Sequence, residues 1–192
     1  MIGARIIQLM EKSAKNYFSL ADLANYLNAA RPSLKVVLSR LIKQNKIIRL
    51  TRGYYALPRK MPDIEQLAVE IKYPAYISLE SALSIHGILS QAPSRLTLVT
   101  PKRSASLEAG GSMLEYTHIQ PRLFWGFKII KHTQIARPEK ALLDELYLIG
   151  LKKRSLDLRE IDTKRINRKL IKNWLKSFPP STRKLAEQLR LV

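Results

Sequence analysis

The sequence predicts an α+β chain: an N-terminal winged helix-turn-helix joined to a C-terminal mixed α/β domain that ends in a basic helical tail. Three observations carry this. Apolar stripes at helical period fill the first 45 residues and give way to a hairpin pattern centred on Gly53. The following hundred or so residues mix strand-like apolar clusters with helix-like ones, the pattern of a layered α/β unit. The charge is also uneven. Of 34 Lys+Arg and 15 Asp+Glu (formal net +19), residues 1–57 hold 10 and 2, net +8; residues 58–150 hold 11 and 9, net +2; residues 151–192 hold 13 and 4, net +9.

An excess of this size repels itself in a folded chain and calls for a polyanionic partner, with nucleic acid and an anionic membrane surface as the candidates. The 46% hydrophobic content is enough for a buried core and argues against wholesale disorder. There is no cysteine, which excludes disulfides, thiolate metal sites and cysteine nucleophiles, and His86, His118 and His132 have no ligand spacing. No metal and no cofactor are expected. Charge arrives too early in the N-terminal stretch for a signal peptide, and no apolar run approaches the roughly 18 residues of a membrane span, so a cytoplasmic chain without a membrane partner is expected.

In chain order, Ile2, Ile6, Ile7, Leu9 and Met10 mark an amphipathic first helix. Ser19 is an N-cap with Asp22 in the capping-box position, and Leu20, Leu23, Ala24 and Leu27 supply the stripe of a second helix. Asn28 to Pro32 breaks it. A third helix from about Ser33 to Asn45 has Leu34, Val37, Leu38, Leu41 and Ile42 on one face. Residues 47–50 and 54–57 read as short strands joined by a Thr51-Arg52-Gly53 turn. This order places the third helix in the major groove, with Arg31, Ser33, Lys35, Val36, Ser39, Arg40 and Lys43 towards DNA and Arg49 and Arg52 on the wing. The alternative is a small helical domain whose basic face is merely solvated.

The segment 58–62, with two prolines, reads as a stiff linker, dividing a 1–57 DNA-binding domain from a 63–192 C-terminal domain. Asp63 can cap a helix carrying Ile64, Leu67, Ala68 and Ile71, and Ser78 one from Leu79 to His86. Residues 96–100 read as a buried strand, 116–119 and 126–130 as further strands, and Glu108 to Ser112, with Gly110-Gly111, as a turn or bulge. Pro138 starts a strong helix to about Leu148, on which Glu139, Asp144 and Glu145 read as surface charges. The aromatic run Leu123 to Phe127 reads as core packing at a strand turn, with a partner-facing patch as the alternative. In the tail, 151–192, a helix from Thr163 to Lys176 packs Ile166, Leu170, Ile171, Trp174 and Leu175, and Ser181 or Thr182 caps a last helix. Lys164, Arg165, Arg168, Lys169, Lys172 and Lys176 form a possible second basic surface, whose alternative is a solvated helix face.

No catalytic constellation stands out. Glu70-Ile71-Lys72 has the E-x-K form of a nuclease site, but it lies on one helix with Asp63, where converging strand ends are wanted. The serines near His86 lack a nucleophile elbow, and no glycine-rich phosphate loop occurs. A non-enzyme is expected.

The phrases "TRGYYALP" (51–58), "YISLESALSIHGILSQAPSRLTLVTPKRS" (76–104), "EYTHIQPRLFWGF" (115–127) and "IARPEKALLDELYL" (135–148), in this order, resemble the AbiE-type antitoxin family. The resemblance implies a type IV toxin–antitoxin antitoxin and transcriptional autorepressor, in which a winged helix binds inverted repeats of its own promoter. It further implies a C-terminal domain that counteracts a nucleotidyltransferase-like toxin without a stable complex being required. A monomer or weak dimer binding two half-sites cooperatively fits the chain. The competing classes are a stand-alone winged-helix transcription factor with a ligand-sensing or dimerisation domain, and a DNA-targeted nuclease.

Overall fold

The computed structural model describes residues 2–192 as a mixed α+β chain. It divides into two units. The first runs to Leu67 and includes Glu108–Ser112; the second consists of Ala68–Leu107 and Met113–Val192.

The first unit contains α1 (Ile2–Lys12), β1 (Tyr17–Ser19), α2 (Leu20–Leu27), α3 (Arg31–Lys43), β2 (Ile48–Thr51) and β3 (Tyr54–Ala56). The capping box starts α2: the Asp22 N–H donates to Ser19 Oγ and the Ser19 N–H to Asp22 Oδ2, both at 3.0 Å. Asn28 in the left-handed region (φ 46°) ends the helix. The third helix begins two residues before the expected Ser33. Pro32, with φ preset and no N–H to satisfy, fits its first turn. β3 lies between β1 and β2, antiparallel to both, so the hairpin is stitched to the chain ahead of α2. Ile6, Phe18, Leu23, Leu34, Leu38 and Ile47 meet in the core, each at most 1% exposed. Burial of each such side chain contributes roughly 1.5–3 kcal/mol.

The second part of the chain contains α4 (Ile64–Ile71), β4 (Tyr76–Ile77), α5 (Leu79–Ile85), β5 (Leu96–Thr100), β6 (Ala105–Ala109), β7 (Ser112–His118), β8 (Phe127–Ile130), β9 (Thr133–Ala136), α6 (Pro138–Gly150), α7 (Arg168–Trp174) and α8 (Pro180–Gln188). Its sheet has the order β6-β7-β5-β4-β9-β8. β4 runs antiparallel to β5 and parallel to β9, and β5 runs parallel to β7. The strands β1, β4, β6 and β9 were not expected. β1 and β4 are only three and two residues long, too short for period-two alternation to show.

Several expectations are corrected. Ser78 stands at the N-cap of α5 as expected, but its side chain accepts no helix N–H, and its hydroxyl donates to Asp144 at 2.8 Å. Glu139, Asp144 and Glu145 are not surface charges: all three are buried, because α6 packs against α5, α8 and α7 and against β9. The tail helix does not begin at Thr163. Thr163–Arg165 is a single 3-10 turn, and α7 starts after Asn167, whose Oδ1 accepts the Leu170 N–H at 3.2 Å. α8 starts at Pro180, so Ser181 and Thr182 lie inside it and do not cap it.

Candidate nucleic-acid interface

α3 separates its residues by face. Leu34, Leu38 and Leu41 are at most 6% exposed and point into the core. Arg31, Ser33, Lys35, Val36, Ser39, Arg40 and Lys43 are all exposed, a set with four cations and no acid. Val36, at 53% exposure, is an aliphatic side chain where a solvated helix would place a polar one. The α3 N-terminus adds backbone N–H groups without intrahelical partners, since its N-cap, Ala30, has no capping side chain.

The hairpin contributes the other two predicted residues. Arg49 and Arg52 are exposed, and the Arg49 Nε–H donates to the Thr51 carbonyl at 3.3 Å. Thr51 belongs to β2, so the turn is only Arg52-Gly53, and Gly53 takes φ 82° there. The pairing of β2 with β3 shifts register between Arg49 and Thr51, leaving Leu50 as the extra residue, turned inwards at 6% exposure. The Leu20 N–H donates to the Gly53 carbonyl at 2.8 Å, tying the turn to the start of α2.

Acidic groups are kept out of this face. Among the described residues none of the six cations at 31, 35, 40, 43, 49 and 52 pairs with a carboxylate. Asp22 is occupied elsewhere, 3.0 Å from Lys15 Nζ. Partial burial alone would raise its carboxyl, but the Ser19 N–H and the Lys15 ammonium outweigh that and hold it below the usual carboxylate range. Sequence reasoning missed Tyr26, 68% exposed near the end of α2. The signal was available, because Tyr26 falls off the Leu20, Leu23, Ala24 and Leu27 stripe. The expected linker is partly anchored as well: Lys60 Nζ donates to the Glu11 and Ser13 carbonyls at 2.8 and 3.1 Å, at the negative end of α1.

The second predicted basic set lies on the tail, in the other unit. Lys164, Arg165, Arg168, Lys169, Lys172 and Lys176 are all exposed. Behind them Ile171 is buried, and Trp174 meets Trp125 edge-on with centroids 5.2 Å apart. That contact assigns the 123–127 aromatic run to packing. Two shallow grooves of about 300 Å³ each share Lys172; one is flanked by Lys176 and Arg183, the other by Arg168 and Arg190.

The remaining ionisable groups of note are enclosed. Lys140 and Asp144, both fully buried, form an ion pair one turn apart on α6. Tyr76 donates to Asp144 at 2.9 Å and accepts from Lys140 at 2.8 Å. Rings of Tyr76, Trp125 and Phe178 surround the ammonium at 5.3 to 5.5 Å. Burial pushes Asp144 up and Lys140 down, and each partner opposes the other's shift. Arg154 gathers Glu80, Glu115 and, at 3.5 Å, Glu145. Burial, then the neighbouring Glu80 carboxylate, pushes Glu145 up to about 8 against the pull of Arg154. The predicted nuclease alternative is placed as well: Asp63 accepts the Glu65 and Gln66 N–H groups at the start of α4, and Glu70 lies in the last turn of the same helix. Among the described residues no three His, Asp or Glu side chains gather as a metal site. No helix among them is long and apolar enough to cross a membrane.

No curated protein matches this sequence. The crystal structure of the RV2827C protein from Mycobacterium tuberculosis shares the fold, with a TM-score of 0.61 at 14% identity over 94% of this chain and 73% of that one. Residues 5–58, which build the α3 face and the hairpin, match the family of transcriptional regulators described as AbiEi antitoxin.

Proposed function

We propose that this chain is a winged helix-turn-helix autorepressor and antitoxin of a type IV toxin–antitoxin operon. The observation that carries the reading is the acid-free exposed face of α3, within the segment that matches the AbiEi regulators. α3 is the recognition helix. Arg31 and Arg40 are suited to bidentate contact with guanine, Val36 to a thymine methyl, and Ser33, Lys35, Ser39 and Lys43 to phosphates or single base contacts. The β2–β3 hairpin is the wing, with Arg49 and Arg52 at phosphate or in the minor groove. One such helix reads a short half-site, so the operator is an inverted repeat, bound by two monomers or a weak dimer. The tail cations supply a further polyanion-binding surface, and residues beyond the 58–62 segment counteract a nucleotidyltransferase-like toxin.

The test separates the two activities in one cell. A reporter behind the operon's own upstream region reads repression, and growth on expression of an adjacent nucleotidyltransferase gene reads neutralisation. The full-length Lys35→Ala, Arg40→Ala variant is expected to lose repression and keep rescue. Loss of neither places the DNA contact elsewhere. Absence of rescue by the unaltered chain leaves a stand-alone transcription factor.

A further inference from the structure

The six-stranded sheet ends on β8. This strand is held on one side only, antiparallel to β9, with Phe127 opposite Ala136, Lys128 opposite Ile135, Ile129 opposite Gln134 and Ile130 opposite Thr133. The Arg137 N–H donates to the Gly126 carbonyl at 3.0 Å, which fixes the parity of the ladder. Gly126, Lys128 and Ile130 therefore direct their backbone groups to β9, while Phe127 and Ile129 direct theirs to the open side. The connecting residues Lys131 and His132 have φ 46° and 67°, the two-residue turn that keeps a hairpin regular.

Open edges are usually blunted by bulges, prolines or charges on both faces. β8 has one lysine and no bulge or proline. Ile129, 71% exposed, is the most exposed large apolar side chain among the described residues, and Ile130 beside it is 41% exposed. The surrounding stretch is one-signed: residues 116–138 contain Arg122, Lys128, Lys131 and Arg137 and no Asp or Glu.

We propose that β8 is a docking strand for an extended segment of a partner protein in which apolar and acidic residues alternate, added to the sheet as a seventh strand. The N–H and C=O of Phe127 and Ile129 supply the main-chain ladder. Alternation puts the incoming apolar residues beside Ile129 on one face and the incoming acids beside Lys128 on the other. A second copy of this chain is disfavoured as occupant, because self-pairing sets Lys128 and Lys131 of one strand near the same residues of its twin. Nucleic acid is disfavoured because it leaves the strand ladder and Ile129 unused. The proposal goes beyond the DNA and toxin reading and does not depend on it.

The experiment uses the full chain and three blocked eight-residue peptides, alternating Val-Glu, Ser-Glu and Val-Lys. Fluorescence anisotropy reads binding, and amide hydrogen exchange reads the site. The Val-Glu peptide is expected to bind at least about tenfold more tightly than either control and to slow exchange at Phe127 and Ile129. Ile129→Pro removes an N–H that β9 does not use and is expected to weaken binding at least about tenfold. Lys128→Glu, an exposed change that spares the fold, is expected to reverse the preference towards Val-Lys. Equal binding of Ser-Glu, no protection at 127 and 129, or indifference to Lys128→Glu overturns the proposal. So does sedimentation showing that the unaltered chain pairs with itself through β8.

Discussion

α3 and α6 are both thirteen residues long and both begin with an early proline, yet they treat charge in opposite ways. α3 carries four cations and no acid, all on the exposed face and none paired with a carboxylate among the described residues. α6 carries Lys140, Glu139, Asp144 and Glu145, all buried, with Lys140 and Asp144 closed on each other. An ion taken out of water must find its counterion inside the protein, so the α6 charges are internal structure. Cations left in water without partners cost little and stay available to an outside anion, so the α3 charges point to a ligand. Disturbing α6 should therefore cost stability and disturbing the α3 side should cost binding, with little crossover.

The largest effect is expected at α6. Asp144→Ala leaves the Lys140 ammonium buried among rings, and should lower unfolding free energy by about 3–5 kcal/mol in denaturant titrations. The double change Lys140→Met, Asp144→Leu should recover most of that loss. If Asp144→Ala proves harmless, the buried pair is not what holds α6. On the binding side, Arg49→Ala with Arg52→Ala should weaken operator affinity by about tenfold and reduce the salt slope by about two, while stability stays within about 0.5 kcal/mol.

Glu145 gives a pH test of the buried side. Its folded-state value of about 8 lies above the ordinary 4.5, so the folded chain holds a proton there that the unfolded chain has released. The stability tied to that proton is complete below about pH 4.5 and is lost as pH rises through about 8, at about 1.4 kcal/mol per pH unit. Glu145→Gln should flatten this slope and make the variant the more stable chain at neutral pH. A difference between the two chains that does not change with pH would contradict the burial argument. The smallest effect is at the capping box: Ser19→Ala should cost about 1 kcal/mol by thermal unfolding.

What the sequence revealed follows the same division. The Ser19–Asp22 box, the Leu34–Leu38–Leu41 stripe and the Gly53 turn are local patterns, and local patterns survive in one dimension. The exposure of Arg31 to Lys43 follows from that stripe, and the exposure of Tyr26 could have been read from the α2 stripe in the same way. The two-residue β4 and three-residue β1 left no periodicity to detect. The burial of Glu139, Asp144 and Glu145 was hidden for a different reason. Charged residues read as surface until their partners are known, and those partners lie outside α6: Glu145 meets Arg154 and Glu80, Asp144 meets Tyr76 and Ser78, and Glu139 accepts the Asn167 N–H at 3.0 Å. Only the Lys140–Asp144 spacing of four residues hinted at a pair.

The central claim is that the cations of α3 meet DNA. Its most direct test is the salt dependence of binding to the operon's upstream region, measured by fluorescence anisotropy for the unaltered chain and for Lys35→Ala, Arg40→Ala. The account predicts a loss of at least about a hundredfold in affinity and a slope of log K against log salt shallower by about 0.9 for each phosphate contact removed. Equal affinity and equal slope for the two proteins would contradict it.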